Sequence, residues 1–450
     1  MNLTIDQIAQ SGVVGAGGAG FPTHVKLSGK ADAVVINAAE CEPLLHKDKE
    51  MILHRTEQLV EGLAMAMRFV GATKGVVGIK KKYAEVADAL RPKLGRSMEI
   101  APLDDVYPSG DEFILVYETL GRVIPPGGIP LAVGAVVMNV ETACNVAAAA
   151  ATPVVEKFVS VAGDVKHPCT VRIPVGAPLS LCVRAAGGAT AADPAYVVGG
   201  AMMGYVETNL NKSVTKTTGG ILVLPKDHFI VRRKRWDWPQ TVRIGRAACD
   251  QCSFCTERCP RYLLGHPIEP HRAMRSLGFN VSAQSDVPGT VFCCECNLCS
   301  YYSCPEELDP KNVCAENKRR LLAAKTRWEN PPFQADRADR HLRNRKTPMP
   351  LLIQKIGLAK YVNKGPLDDK LVSATSVEIP LKQHIGAPCE VTVKVGDRVQ
   401  VGQRIARRPI TDGKPALGAD IHASISGIVT VVGESVRIES KPQSQEGFGP

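Results

Sequence analysis

Aromatic side chains are scarce in this 450-residue chain, with 3 Trp, 9 Tyr and 10 Phe. A surface that stacks bases needs more of them, which argues against nucleic acid as a partner despite a net charge of +10. Long apolar runs are also missing. The most hydrophobic stretches, 133–151 and 197–205, are interrupted by Asn139, Glu141 and Asn145 or are too short for a bilayer, which needs about 20 apolar residues. No basic start followed by an apolar core opens residues 1–10, so the expected compartment is the cytoplasm. In that reducing setting the 15 cysteines need a use other than disulfides.

What is abundant is small and turn-forming: 40 Gly and 32 Pro. With 44% hydrophobic and 22% charged residues the composition is globular and favours loop-rich β or α/β structure. The length implies several domains of about 100–200 residues each. Residues 1–152 alternate helix and strand. Thr4 and Gln7 make a capping box before a short helix, 33–36 and 76–79 read as strands, and 51–70 has helical spacing. Residues 153–235 carry short β runs at 158–162 and 179–183 between Gly and Pro. Ten of the cysteines fall within 236–330, a Pro-rich basic linker spans 331–374, and 375–440 alternates β-branched residues with Gly-Asp and Gly-Gln turns. Much of the positive charge sits in 311–346, where eleven Lys/Arg face four Asp/Glu. Such a patch is either a solvated helical face or a dock for an acidic protein or a membrane surface.

The cysteine spacing carries the clearest chemistry. Cys249-x-x-Cys252-x-x-Cys255-x-x-x-Cys259-Pro260 is the bacterial ferredoxin run for a [4Fe-4S] cluster, and Cys293-x-x-Cys296-x-x-Cys299-x-x-x-x-Cys304-Pro305 follows it. In two-cluster ferredoxins the cysteine before proline ligates the other cube. One cluster is therefore expected on Cys249, Cys252, Cys255 and Cys304, the other on Cys293, Cys296, Cys299 and Cys259. The second run is one residue longer, and Cys294 competes with Cys293 as ligand. Zinc held by four cysteines also uses C-x-x-C pairs, but two triple runs each closed by Cys-Pro fit iron–sulfur. Cys41, Cys144, Cys169, Cys182, Cys314 and Cys389 read as small buried hydrophobes.

Gly15-x-Gly17-x-x-Gly20 satisfies the dinucleotide fingerprint, with Glu40 twenty residues beyond it. The fingerprint requires a strand just before the loop, whereas a polar helical segment precedes this one and Pro22 follows it, so a Rossmann turn is not expected. The glycines still let backbone N–H groups approach an anionic phosphate.

Three segments resemble the flavin site of the NADH-binding flavoprotein subunit of respiratory complex I, shared with the RnfC protein of Rnf complexes. They are the run from Gly15 through Phe21-Pro22-Thr23 to Lys26, then Val35-Ile36-Asn37-Ala38-Ala39-Glu40-Cys41-Glu42-Pro43 with Lys47-Asp48, and Asn139-Val140-Glu141-Thr142. The resemblance implies that Gly15, Gly17, Gly18, Gly20 and Lys26 hold the FMN phosphate. It implies further that Asn37, Glu40, Asn139 and Thr142 surround the flavin, and that Phe21 and Glu42 form the catalytic wall where NADH enters. The chain departs from that pattern at Ala39 and Met138. Residues 159–163, Pro174-Val175-Gly176 and Val198-Gly199-Gly200-Ala201-Met202-Met203-Gly204 are similar to a soluble-ligand-binding β-grasp module, which either binds a ligand or spaces the domains. His384-Ile385-Gly386-Ala387-Pro388 and Val395-Gly396-Asp397 look like a barrel-sandwich unit of the biotinyl/lipoyl type, although the usual turn around a carrier lysine is missing at Lys414.

The fold implied is multidomain α/β: an FMN/NADH-binding domain (1–152), the β-grasp module (153–235), a helical ferredoxin-like domain with two clusters (236–330), and a barrel-sandwich hybrid domain (375–440). In the RnfC protein the barrel-sandwich unit comes first; here it comes last. That order, with Cys293-Cys294-Glu295-Cys296-Asn297-Leu298-Cys299, is closely similar to the cobalamin reductases of propanediol-utilisation microcompartments. The family implies NADH-dependent reduction of cobalamin through FMN and two [4Fe-4S] clusters, beside an adenosyltransferase and microcompartment proteins. No D-x-H-x-x-G corrinoid run is present, so cobalamin is expected as a transient substrate. Two other functions stay open: a peripheral electron-input subunit of an Rnf-type membrane pump, and an electron-carrying shell scaffold with a vestigial flavin site.

Overall fold

The computed structural model describes residues 3–278, 287–326 and 338–440. The chain opens on the helix Ile5–Gln10, set by the expected capping box: Thr4 Oγ1 accepts from the Gln7 amide and Gln7 Oε1 accepts from the Thr4 amide. Four parallel strands follow in the spatial order Met98–Leu103, Lys74–Lys80, Ala33–Ala38, Ala135–Asn139. Both faces of this sheet are covered. Val35 and Val76 pack with Leu115 and Val116 of the helix Glu112–Leu120. Val34, Ile36, Val77 and Ile79 pack on the other side with Leu59 and Leu63 of the helix Thr56–Val70. Burial on both faces is why these strands read as unbroken apolar runs rather than alternating ones. Each fully buried leucine contributes about 1.5–3 kcal/mol.

Helices Thr56–Val70 and Val140–Ala148 touch at Gly62, where an added Cβ would lie 1.9 Å from the Ala143 carbonyl oxygen. The single helix expected over 51–70 is broken at Arg55, giving Lys47–His54 and Thr56–Val70. The first of these turns charged Lys47 and Asp48 inward, so it cannot continue the apolar stripe of the second.

The next module is a mixed six-stranded sheet in the order Leu367–Leu371, Cys169–Pro174, Glu156–Gly163, Gly220–Pro225, Pro194–Val198, Tyr205–Glu207. The run 179–183, expected as β, is the helix Leu179–Ala185 led by Pro178. Five apolar residues contain too little periodicity to separate the two conformations.

The segment 331–374 differs from the expected linker. Its strand Leu367–Leu371 extends the β-grasp sheet, Thr347–Pro348 pairs with Val106–Tyr107, and the helix Met349–Lys355 drives Met349 and Leu352 into a core with Leu44, Leu222 and Leu224. Surface charge and proline masked these widely spaced apolar anchors. Residues 327–337, a part of the basic stretch 311–346, lie outside the described residues. Where that stretch is described, the helix Pro310–Ala323 sets Arg319 and Arg320 on Glu316, a charged helical face.

Helices Trp238–Ala248, Pro270–Ser276 and Pro310–Ala323 frame the cysteine loops. The last unit folds as two small sheets, one containing Ser376–Pro380, Ser435–Glu439 and Gly427–Val432, the other Glu390–Val391, Arg404–Arg407 and Ile421–His422. Its core residues Val377, Ile379 and Val436 are continuous with Val159, Val171 and Ile173 of the β-grasp sheet. Among the described residues no helix is long and apolar enough to cross a membrane.

Candidate flavin cradle and cysteine hollows

The glycine loop is folded back on itself. The Gly15 amide donates to the Phe21 carbonyl (2.9 Å), the Gly20 amide donates to the Gly15 carbonyl (3.2 Å), and Val14 bridges Pro22. Its glycines face different surroundings. A Cβ on Gly17 would touch Asn139, and one on Gly20, at φ +64°, would meet Thr217 at 2.9 Å. Around Gly18, at φ +117°, nothing lies within 4 Å, so this side of the loop is an open backbone cradle of the kind a phosphate-bearing ligand occupies. The helix Val140–Ala148 is fastened to it: Thr142 Oγ1 accepts from the Ala16 amide (2.9 Å) and Asn139 caps the helix by accepting from the Glu141 amide (3.0 Å). A capped helix start beside a glycine cradle favours an anion, which fits FMN.

Behind the loop lies a buried charge network. Lys47 Nζ reaches Asp48 (2.8 Å) and Glu141 (3.0 Å), Lys157 pairs with the same Glu141 oxygen and donates to the Ala16 carbonyl (3.0 Å), and Asn139 Nδ2 donates to Asp48 (2.7 Å). Burial alone would raise the Glu141 carboxyl, but Lys157 and Lys47 outweigh it and hold it below the usual range. Burial lowers Lys157 to about 8 despite Glu141. Glu40 accepts from the Glu42 amide (3.0 Å), and desolvation followed by the neighbouring Asp48 pushes its pKa up to about 7.

The other expected residues are placed as follows. Lys26 Nζ donates to the Val137 carbonyl (3.2 Å), lies 3.8 Å from Glu112 and sits 5.7 Å from the centre of the Phe21 ring. Asn37 donates to the Gly110 carbonyl (2.7 Å) and accepts from the Ala39 amide. Both carboxylate oxygens of Glu42 accept from the β-grasp module, Oε2 from the Met202 amide (2.8 Å) and Oε1 from the Met203 amide (2.7 Å).

The thiols gather around two small hollows of similar size. One is lined by Cys249, Cys252, Cys255 and Cys304; the other by Cys259, Cys293, Cys296 and Cys299, with Cys294 and Cys314. The grouping is crossed, each run lending its pre-proline cysteine to the opposite hollow. Among the described residues no three His, Cys, Asp or Glu side chains converge on one point as around a single ion. Four thiols in ferredoxin order around each hollow fit a [4Fe-4S] cube. The loops repeat one backbone pattern, with positive φ at Gln251 (57°) and Ser253 (68°) in the first and at Glu295 (58°) and Asn297 (61°) in the second. In that register Cys293, not Cys294, is the counterpart of Cys249. Burial pushes the Cys255 thiol up to about 12 and raises those of Cys259 and Cys299, so ligation must displace their protons.

The second loop joins the flavin cradle through the β-grasp turn 199–204. The Met202 carbonyl, behind the amide that Glu42 binds, accepts from Asn297 Nδ2 (2.6 Å) and Lys234 Nζ (3.1 Å). Gly200 is required there, since at φ +107° a Cβ would stand 2.4 Å from Glu42 Oε2. Tyr107 Oη donates to the Cys296 carbonyl (2.7 Å), and Arg261 forks onto Asp111 (2.5 and 2.9 Å), the cap of the helix Glu112–Leu120. Sequence reasoning noticed the turn 199–204 but not its partners. Nor did it single out Lys157, Asn297, Arg261 or Tyr107, whose roles depend on contacts between residues far apart in the chain or on charges turned inward.

Known families match the chain in the same order: a Nuo51 FMN-binding domain at 8–148, an SLBB domain at 158–206, a 4Fe-4S dicluster domain at 248–309 and an RnfC barrel sandwich hybrid domain at 359–445. The chain is 41% identical over 441 residues to the cobalamin reductase PduS of Salmonella typhimurium, covering 96% of each. It is 38% identical over 432 residues to that of Citrobacter freundii, covering 95% of this chain and 94% of the relative. One component of the Na(+)-translocating ferredoxin:NAD(+) oxidoreductase complex of Acetobacterium woodii is 35% identical over 266 residues, 57% of each chain. With its four modules and this similarity along nearly all its length, the chain belongs to the PduS family of cobalamin reductases.

Proposed function

We propose that this protein oxidises NADH and reduces cobalamin, in the sum NADH + 2 cob(III)alamin → NAD+ + H+ + 2 cob(II)alamin. The observation that carries the reading is the bonded sequence Glu42–Met202–Asn297, which ties the second cysteine loop to the FMN-binding domain in a chain of this family. Bound in these sites, FMN accepts a hydride and [4Fe-4S] clusters take electrons singly, which matches a two-electron donor to a one-electron acceptor.

The residues divide the work. Gly15, Gly17, Gly18 and Gly20, with the helix start capped by Asn139, hold the phosphate end of FMN, and Lys26 adds a cation near it. Thr142 fixes the loop, while Asn37 and Glu40 shape the flavin side. Phe21 lines the entry for NADH, and Glu42 holds the β-grasp turn beside it. Cys249, Cys252, Cys255 and Cys304 ligate one cluster; Cys259, Cys293, Cys296 and Cys299 the other. The reading extends to an adenosyltransferase that takes the reduced corrinoid and to a cytoplasmic microcompartment as the setting.

Anaerobically purified protein should contain FMN and about eight iron atoms, and should reduce hydroxocobalamin with NADH faster than FMN plus NADH without protein. Reduction no faster than that control, with activity only in the presence of membrane partners, would instead support a role within an ion pump.

A further inference from the structure

We propose that cobalamin docks in an open concavity on the far side of the first hollow, between Cys304-Pro305 and the helix Met349–Lys355. This rests on the proposed reductase reading. The concavity offers about 680 Å³, open to solvent on one side, within the roughly 300–1,000 Å³ of small-molecule sites. Its wall includes Cys304, a thiol of the outer hollow, and Phe254, the neighbour of Cys255. A ligand lying there is separated from that hollow by the cysteine wall alone. The loop of the second hollow is packed against the flavin and β-grasp domains instead.

The chemistry of the wall is that of a corrinoid. Phe254 and Leu351 are each 49% exposed on the same concavity, large apolar side chains left in water where a methyl-lined corrin face can cover them. Arg258, Arg345 and Lys355 surround them, with Glu257 the one acid in the wall and Glu307 beside Lys355. They are loosely held: Arg258 lies 5.4 Å from the Tyr302 ring centre, Arg345 is 3.3 Å from Glu257, and Lys355 is 3.9 Å from Glu307. A phosphodiester, the one anionic group on the periphery of cobalamin, matches this excess of cations. A neighbouring concavity with Phe229, Arg232 and Trp236 shares the mixture but has no cysteine in its wall.

The test is equilibrium dialysis of hydroxocobalamin against the FMN- and cluster-loaded protein, without NADH. Saturable binding near one per chain is expected. Leu351→Ser with Phe254→Ser, and separately Arg345→Glu with Lys355→Glu, should each raise Kd about tenfold. Cobinamide, which lacks the phosphodiester, should respond to the first pair and much less to the second. Iron content and Tm report whether each variant is folded, and Lys355→Glu alone, at an exposed position, serves if a pair is not. Wild-type binding that neither pair weakens overturns the site, as does cobalamin reduction by a protein that binds no cobalamin saturably. Equal weakening of cobalamin and cobinamide by charge reversal overturns the phosphodiester contact. Loss of binding in both pairs from a protein that never reduces cobalamin supports the site while refuting the reductase reading.

Discussion

The two cysteine loops share a spacing and a backbone, yet their surroundings differ. The loop through Cys293–Cys299 is bound on several sides: Tyr107 to Cys296, Asn297 to Met202, Lys318 to the Cys293 carbonyl (2.8 Å), and Arg261, next to Cys259-Pro260, to Asp111. The loop through Cys249–Cys255 has local partners, Gln251 on Cys249 and Thr256 on His271, and its Cys252 is exposed. A repeated motif supplies equal ligand sets, and tertiary contacts assign them unequal places. The bound loop is tied to the FMN-binding and β-grasp domains, whereas among the described residues Cys252 of the other is exposed.

The largest expected effect concerns the ligands. Cys299→Ser should cut NADH-driven cobalamin reduction by more than about 100-fold, beyond the loss expected for an outer-shell partner, while NADH still bleaches the flavin. Cys304→Ser should deplete the cluster of the first run, not of its own. Spectra showing the loss confined to the second run would refute the crossed grouping and with it the contrast between the loops. Next in size is Arg261→Ala, which leaves Asp111 without its buried partner and should cost about 3–5 kcal/mol. Thr256→Val, the matching disturbance by the exposed loop, should cost about 1 kcal/mol. Equal costs in chemical denaturation would mean that both loops are anchored alike.

Glu42→Ala removes two charge-assisted hydrogen bonds to the β-grasp turn. It should slow cluster reduction by NADH about tenfold while sparing cobalamin reduction by chemically prereduced protein. Slowing of both steps would show that the turn serves the exit as well. A further test is pH. Glu40 titrates near 7 in the fold against 4.5 ordinarily, so its contribution to stability is present at low pH and lost as pH rises through about 7. Wild-type Tm should therefore fall relative to Glu40→Gln between about pH 5 and pH 8, and a constant difference would place Glu40 in water.

The ferredoxin spacings were legible because ligand order is a local property of the chain, and the crossing follows from the same arithmetic. The spacing named Cys293 with Cys294 as competitor; the backbone register that matches Cys293 to Cys249 was not legible, because it depends on the left-handed residues Glu295 and Asn297, neither of them a glycine. The four-module order could be read from the glycine loop, the cysteine runs and the β-rich end. Lys47, Lys157 and Glu141 escaped notice as a buried network because charged residues ordinarily lie outside and nothing local marks them as turned inward. The segment 331–374 escaped for the opposite reason: its few apolar anchors, Met349, Leu352, Ile356 and Leu358, are diluted by charge and proline.

The strand Leu367–Leu371 completes, at its outer edge, a sheet whose first strand is Glu156–Gly163. During translation that sheet must wait, its edge along Cys169–Pro174 unpaired, while both cysteine runs are made. Both cysteine runs are thus translated before the strand and the barrel unit that finish the scaffold, so the loops are complete as sequence before the sheet beside them can close.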